Sequence, residues 1–267
     1  MALLHPERIE DKKMQNSIDA LTISYDNKVD FFVEQLVQGI GMIAAGFYPR
    51  PVIVRLSDFK SNEYRNLIGG VYFEPVEENP MIGFRGAFRY YHESYKEAFA
   101  LECQALLRAR KTMGLKNIKI MIPFVRTVQE AQSVINEMAL HGLARGDDNL
   151  ELVMMCEVPS NVILIDEFSY YFDGFSIGSN DLTQLVLGVD RDSTILASLF
   201  DERDEAVKKM MMMAIEGAHK NKKYIGICGQ APSDYPEIAD FLIKIGIDSI
   251  SLNVDSVLPF LMQDVKK

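Results

Sequence analysis

The sequence has few cysteines, no long apolar segment and no excess of basic residues, and each of these features excludes a class of protein. Its three cysteines are Cys103, Cys156 and Cys228, so at least one is unpaired, and none forms a CxxC motif. A disulfide framework is therefore not expected, and a reducing, cytoplasmic environment is the natural location.

Membrane insertion, secretion and nucleic-acid binding are also disfavoured. No apolar run approaches the roughly 20 residues that cross a bilayer, and the N-terminal MALLHPERIEDKK lacks the basic-then-apolar order of a signal peptide. The 38 acidic residues outnumber the 28 basic ones and give a formal charge of -10, which repels a phosphate backbone. An anionic substrate must therefore be held by local cations rather than by the overall field.

Short apolar runs rich in β-branched residues alternate with longer amphipathic stretches. Such runs are typical of strands buried on both faces of a parallel sheet, and the alternation predicts an α/β fold. The runs lie at 51–56, 118–124, 150–158, 174–179, 224–229 and 249–253, and the helical patterns at 29–45, 93–113, 128–141, 206–220 and 236–245. With no repeat and no linker, the pattern indicates one domain over 1–267.

The stretch from Asp58 to Tyr91 interrupts this rhythm. It is rich in Asn, Gly, Pro and Glu, and a loop of this length in a compact domain is usually functional. IGFRG (82–86) is predicted as a short strand inside it, which raises the count to seven. Seven strands are one fewer than an eight-stranded barrel has, so either the sheet is open or a strand is missing.

Nearly every predicted strand ends at a residue able to do chemistry. Because the carboxyl ends of parallel strands share one edge, where ligands bind, we expect these side chains to converge. They are Arg55, Arg85, Glu157, Asn180, Asp181 and Cys228.

This set of side chains suits a small phosphorylated acid. Guanidinium forks bind carboxylate and phosphate, and two carboxylates together with substrate oxygens make a Mg²⁺ site. The metal would stabilise an enolate oxygen, and a thiol at this edge would exchange a proton with the enolate carbon.

Each residue also has a simpler interpretation. Arg55 at a strand end can be a surface salt-bridge residue, and Cys228 can be inert packing. Glu157 and the pair Asn180–Asp181 can be caps of the helices that follow them. Their joint placement at strand ends is what favours the site.

Three segments resemble a known family, the phosphoenolpyruvate (PEP)-utilising enzymes. DGFSIGSNDLTQLVLGVDR (173–191) resembles the family signature throughout. VIVRLSDFKSNEY (52–64) and EENPMIGFRGAFRY (77–90) are similar to its PEP synthase branch. The resemblance implies a TIM-type (β/α)8 barrel that binds PEP and pyruvate and that lacks its first strand in this chain.

The resemblance also assigns roles to residues. It implies that Arg55 and Arg85 hold the carboxylate or the transferring phosphoryl group, and that Glu157 and Asp181 bind Mg²⁺. It further implies a proton donor and acceptor at Cys228, with the substrate also contacted by Gly178, Ser179, Asn180 and Arg191.

Two features of the family pattern are absent. Nothing before His5 matches the barrel's first strand and its arginine, and neither a phosphohistidine motif nor an ATP-binding glycine-rich region is found. We therefore expect the chain to need the phosphohistidine domain of a full-length enzyme as a partner, and to lack complete turnover alone. The alternatives are a Mg²⁺-dependent oxo-acid aldolase or lyase, and a non-catalytic dimerisation module, since barrels of this family often pair as homodimers.

Overall fold

The fold is that of a computed structural model, which describes the structure of residues 1–264. These residues form two compact units. The first unit comprises Met1–Pro123 and Gln129–Leu152. The second comprises Phe124–Val128 and the described residues from Val153 onward.

The first unit is mainly helical around a pair of strands. Strands β1 and β2 are parallel, with Val52 beside Ile118 and Arg55 beside Met121. In chain order its elements are α1 (Lys12–Leu21), α2 (Lys28–Phe47), β1 (Val52–Arg55), α3 (Ser61–Arg65), α4 (Ala87–Tyr91), α5 (Lys96–Leu107), β2 (Ile118–Ile122) and α6 (Val128–Leu140). A π-helical turn, Arg108–Thr112, continues α5, and single 3-10 turns lie at Pro6–Arg8, Gly70–Tyr72, Pro80–Ile82 and Asp147–Asn149.

The long helix α2 shows how sequence pattern produces this unit. The Asn27 side chain accepts a hydrogen bond from the Val29 N–H and caps the helix N-terminus. Val33 and Val37 follow at helical spacing and are buried in a cluster with Ala105 of α5. The apolar face of α2 is therefore its contact with α5.

The second unit contains four parallel strands, each paired with the next along the chain. Every residue of β3 and of β4 is buried, as expected for strands covered on both faces. In chain order its elements are β3 (Leu152–Cys156), α7 (Pro159–Ile163), α8 (Ile165–Phe168), β4 (Gly174–Ile177), α9 (Ser179–Leu187), α10 (Glu205–Lys220), β5 (Tyr224–Ile227), α11 (Ala231–Asp234), α12 (Pro236–Lys244), β6 (Ser249–Ile250) and α13 (Val254–Asp264), with one 3-10 turn at Ala197–Leu199.

The predicted α/β fold is confirmed, and so are the positions of the six apolar runs as strands. Parallel strands joined in sequence order by helices have the connectivity of a TIM-type barrel. The prediction that 1–267 form one domain stays a prediction.

The predicted strand at IGFRG is wrong, and residues 1–264 contain six strands rather than seven. Pro80–Ile82 forms a 3-10 turn, and Gly86 has φ of 61°, a left-handed conformation that favours glycine. The Phe84 N–H donates to the Glu77 carboxylate rather than to a neighbouring strand. A side chain thus takes the hydrogen bond that a sheet would have used.

Within the described residues, no helix combines the length and the apolar character that a membrane span requires.

Candidate functional site

Three neighbouring strands of the second unit end at the same level of the sheet. Cys156 of β3 lies beside Ile177 of β4, which lies beside Ile227 of β5. The residues that follow are Glu157, Gly178 and Cys228. The ladder continues through them, because the Gly178 N–H donates to the Cys156 carbonyl (3.2 Å) and the Cys228 N–H to the Ile177 carbonyl (3.0 Å). With adjacent strands about 5 Å apart, the fold brings these three predicted site residues together.

The Glu157 carboxylate is buried and held in a defined place. Its Oε1 accepts the Phe124 N–H at 2.7 Å, and the residue is 1% exposed. Its Oε2 lies over Gly178, where a Cβ would come within 2.5 Å of that oxygen. Any side chain at 178 would displace the carboxylate, so glycine is required there by close approach rather than by an unusual φ.

Glu157 is not a helix cap, so the simpler interpretation is wrong for this residue. Helix α7 begins at Pro159, and Asn161 stabilises its start by accepting the backbone N–H groups of Glu157 (3.2 Å) and Val158 (2.9 Å). Phe124, which donates to Glu157, has φ of 48°, an uncommon conformation for a non-glycine residue. The backbone is thus bent to aim an N–H at this carboxylate.

Helix α9 carries the next group of predicted residues. Its N-cap is Gly178, so Ser179, Asn180 and Asp181 form its first turn, and the interpretation of Asn180–Asp181 as the cap is wrong. Asp181 is 8% exposed, and its charge is favoured by the positive end of the helix dipole. Arg191 lies just beyond the helix, with Nη1 4.0 Å from Asp181 Oδ2.

Cys228 differs from the other two cysteines in its accessibility. Cys103 and Cys156 are buried, and burial raises the pKa of the Cys156 thiol to about 12, whereas Cys228 is half-buried. The Cys228 Sγ lies 3.6 Å from the Ile177 carbonyl. The next residue, Gly229, packs on Ser179 so closely that a Cβ would lie 1.7 Å from the Ser179 hydroxyl oxygen. The thiol-bearing turn and the start of α9 are therefore in direct contact.

The donor set fits Mg²⁺ better than a metal that needs a complete protein cage. Among the described residues no cluster of three or more His, Cys, Asp or Glu side chains could hold a metal ion. Magnesium commonly takes only one or two protein carboxylates and fills its octahedron with substrate oxygens and water. Glu157, beside Gly178, and Asp181, in the first turn of the helix that Gly178 caps, are the two carboxylates that the sequence analysis predicted as such donors.

In the first unit, Arg85 is clamped by a carboxylate that the sequence analysis did not single out. Asp58 accepts from Arg85 Nη2 (2.6 Å) and Nε (3.2 Å), and both side chains are almost fully buried. The Met81 carbonyl accepts from Arg85 Nη1 at 3.2 Å. Arg55, at the end of β1, is exposed. The signal that could have identified Asp58 is its place three residues after Arg55, at the same strand end.

The loop that carries Arg85 contains further contacts of acidic side chains, with a hydroxyl, a backbone N–H and an arginine. The Glu77 carboxylate also accepts the Ser61 hydroxyl at 2.6 Å, in addition to the Phe84 N–H. Arg89 forms a buried ion pair with Glu74. Its guanidinium carbon lies 4.2 to 4.5 Å from the ring centres of Tyr64, Phe84 and Tyr95. This long loop is therefore an ordered structure.

Glu102 of α5 holds the backbone at Ser57, immediately before this loop. Its Oε1 accepts both the backbone N–H (2.9 Å) and the hydroxyl (3.0 Å) of Ser57. The Tyr90 hydroxyl donates to the Ser57 carbonyl at 2.9 Å. Burial raises the pKa of Glu102 to about 7, although the two Ser57 hydrogen bonds act in the opposite direction. Sequence reasoning missed this residue, because it lies inside an ordinary amphipathic helix pattern.

Comparisons with known proteins agree with one another. Residues 18–265 match the family described as PEP-utilising enzyme, PEP-binding domain. The chain is 63% identical over 259 residues to PEP synthase of Synechocystis, 57% identical over 259 residues to that of Helicobacter pylori, and 54% identical over 260 residues to that of Escherichia coli. These alignments cover 97%, 97% and 96% of the chain but only 32%, 32% and 33% of the relatives, so the chain spans about a third of their length.

Among solved structures, an HpcH/HpaI aldolase from Desulfitobacterium hafniense is similar at 14% identity and a TM-score of 0.43, over 85% of this chain and 86% of that one.

Proposed function

This chain belongs to the family of PEP-utilising enzymes, matching their PEP-binding domain, and on that premise we propose that it binds pyruvate and PEP in a PEP synthase. The reaction proposed for the complete enzyme converts ATP, pyruvate and water into PEP, AMP and phosphate. A phosphohistidine on a domain outside this chain would carry the phosphoryl group to the pyruvate site. A cytoplasmic location and a homodimer stay predictions.

The observation that carries this proposal is the shared end of β3, β4 and β5. It presents a carboxylate at Glu157, a side-chain-free backbone at Gly178 and a thiol at Cys228 on adjacent strands. A carboxylate and a thiol on the same edge can bind an oxo-acid and move a proton on it. A purely structural module would not need either group there.

In the proposed reaction, the Cys228 thiolate takes a proton from the methyl carbon of pyruvate, and the electron pair of that C–H bond moves toward the carbonyl oxygen. Glu157 and Asp181 would hold Mg²⁺, which supplies positive charge to the developing enolate oxygen. That oxygen then attacks the phosphorus atom of the phosphohistidine. An O–P bond forms, the N–P bond breaks, and the imidazole leaves.

The remaining predicted residues would orient the substrate. Arg55, Arg85 and Arg191 would bind its carboxylate and the transferred phosphoryl group, because a guanidinium group is permanently positive. Asp58 already occupies the Nε and Nη2 edge of Arg85, so only Arg55 and Arg191 would offer that fork to the substrate. Ser179 and Asn180 would contribute the N-terminal N–H groups of α9, which favour anions. Since phosphoryl transfer needs little covalent help from a protein, positioning and charge neutralisation would supply most of the rate enhancement.

The test is binding of oxalate, a planar mimic of the pyruvate enolate, to the 267-residue chain by isothermal titration calorimetry. We expect binding with Mg²⁺ and none without it. Glu157→Gln should abolish binding, because a neutral amide lacks the negative charge with which the carboxylate would hold Mg²⁺.

Glu151→Gln is the matched control, since Glu151 precedes β3 at the opposite end of the same strand and pairs with Lys119. It should bind oxalate as the unchanged chain does. Oxalate binding that is independent of Mg²⁺, or equal in the two variants, would refute the proposed site.

A further inference from the structure

The position of Arg85 depends on a chain of buried contacts that begins outside the proposed site. Asp58 occupies the Nε and Nη2 edge of the guanidinium, so the direction of that side chain follows the position of the Asp58 carboxylate. Asp58 lies in the connection after β1. Whatever fixes this connection therefore fixes the arginine.

The neighbouring residue Ser57 is held on both sides. Glu102 accepts its N–H and its hydroxyl, and the Tyr90 hydroxyl donates to its carbonyl. These three hydrogen bonds fix the position of the backbone immediately before Asp58. Of the three, two end on the same oxygen of Glu102, so Glu102 contributes most of the restraint.

Packing alone does not explain a glutamate at position 102, because its burial costs free energy. It is 5% exposed, and burying a carboxyl group costs free energy that an apolar side chain of the same size would not cost. Burial raises its pKa to about 7, which shows that the ionised form is disfavoured where it lies. Both hydrogen bonds that Glu102 accepts come from Ser57. Its burial is therefore better explained by fixing the position of the Ser57 backbone than by packing.

We propose that Glu102 is a positioning residue for substrate binding, acting through Ser57 and Asp58 to hold Arg85 in the direction that receives the anion. This inference rests on the proposed function, in which Arg85 binds the substrate carboxylate or phosphoryl group. Glu102 itself would not touch the substrate.

The test compares two substitutions of Glu102 with nearly the same shape, using Mg²⁺-dependent oxalate binding by calorimetry. Glu102→Gln keeps an oxygen that can accept both Ser57 hydrogen bonds, and its affinity should stay within about twofold of the unchanged chain. Glu102→Met has similar length but no acceptor, so it should bind oxalate roughly tenfold more weakly. Ser57→Ala removes only the hydroxyl contact and should cost an intermediate factor of about three.

A merely structural role is distinguished by repeating the substitutions in an Arg85→Lys background. If Glu102 acts through Arg85, then Glu102→Met should cause no further loss there, since the group that it positions is already gone. Where the Met variant does not fold, as judged by circular dichroism, the same cycle with Ser57→Ala gives the answer.

Equal losses in both backgrounds, or a Gln variant as weak as the Met variant, would overturn the positioning role and leave the proposed function standing. An unchanged chain that does not bind oxalate would overturn both.

Discussion

The buried acid Glu102 should make the stability of the chain fall between weakly acidic and neutral pH, and Glu102→Gln should remove that dependence. In the folded chain burial raises its pKa to about 7 from the ordinary value of 4.5. The folded state therefore binds more protons than the unfolded state between these two values. Stability must then decrease as pH rises through this window and stay level above it.

The size of the effect follows from the shift. A difference of about 2.5 pKa units corresponds to about 3 kcal/mol at 1.36 kcal/mol per unit. Part of this loss is already present at pH 5, so between pH 5 and pH 8 we expect a change of about 2 kcal/mol. Glutamine resembles the protonated acid and has no such titration, so the free-energy advantage of the variant should grow by that amount over the same range.

The assay is urea unfolding of both chains at pH 5, 6, 7 and 8, followed by circular dichroism. The informative quantity is the change in the stability difference with pH, because any fixed cost of the amide cancels. Glu34→Gln is the control, since Glu34 is an exposed glutamate that pairs with Arg108 at the surface. Parallel pH profiles for the unchanged chain and Glu102→Gln would refute the reasoning.

Two further predictions concern the thiol and the turn that carries it. Cys228→Ala should abolish exchange of the pyruvate methyl protons with deuterium, measured by NMR with Mg²⁺ present, while oxalate affinity stays within about twofold. Cys103→Ala, at a buried cysteine, is the control and should keep the exchange. Exchange in Cys228→Ala equal to that of the control would contradict the acid–base role. Gly229→Ala places a Cβ 1.7 Å from Ser179 Oγ and should lower the free energy of unfolding by about 1 to 3 kcal/mol. The control is Gly39→Ala, because a Cβ at Gly39 would have no neighbouring atom within 4 Å. Gly39 lies in a helix, so this substitution should be neutral or stabilising by up to about 1 kcal/mol. A Gly229 variant as stable as this control would show that the turn is not packed as described.

The α/β fold was predictable because strand burial leaves a direct mark on the sequence. LVMMC in β3 and GFSI in β4 are continuously buried, and Ser176 is the one polar residue among them. Strand direction then predicted that Glu157 and Cys228 share an edge, and they do lie there, on either side of Gly178, which the family resemblance had named. Their chemical roles stay a prediction.

The loop around Arg85 was not predictable in the same way. IGFRG has the apolar and small residues of a short strand, but Glu77 takes the Phe84 N–H and the segment forms a turn. Asp58 and Glu102 likewise act through contacts made across 27 and 45 residues of sequence. No local pattern of spacing or periodicity contains such pairings.

The sequence by itself determined the class of fold, the positions of the six strands, and residues that follow their ends such as Glu157 and Cys228; Arg85 is not among these, because IGFRG forms a turn. It could do so because hydrophobic periodicity and strand direction are local properties, which each segment carries independently of the others. Only the tertiary structure decided which hydrogen-bond donor each carboxylate accepts from. Glu157 accepts from Phe124, Asp58 from Arg85 and Glu102 from Ser57. Those choices depend on which distant groups are buried together, because a buried charge must find a partner wherever the fold places one.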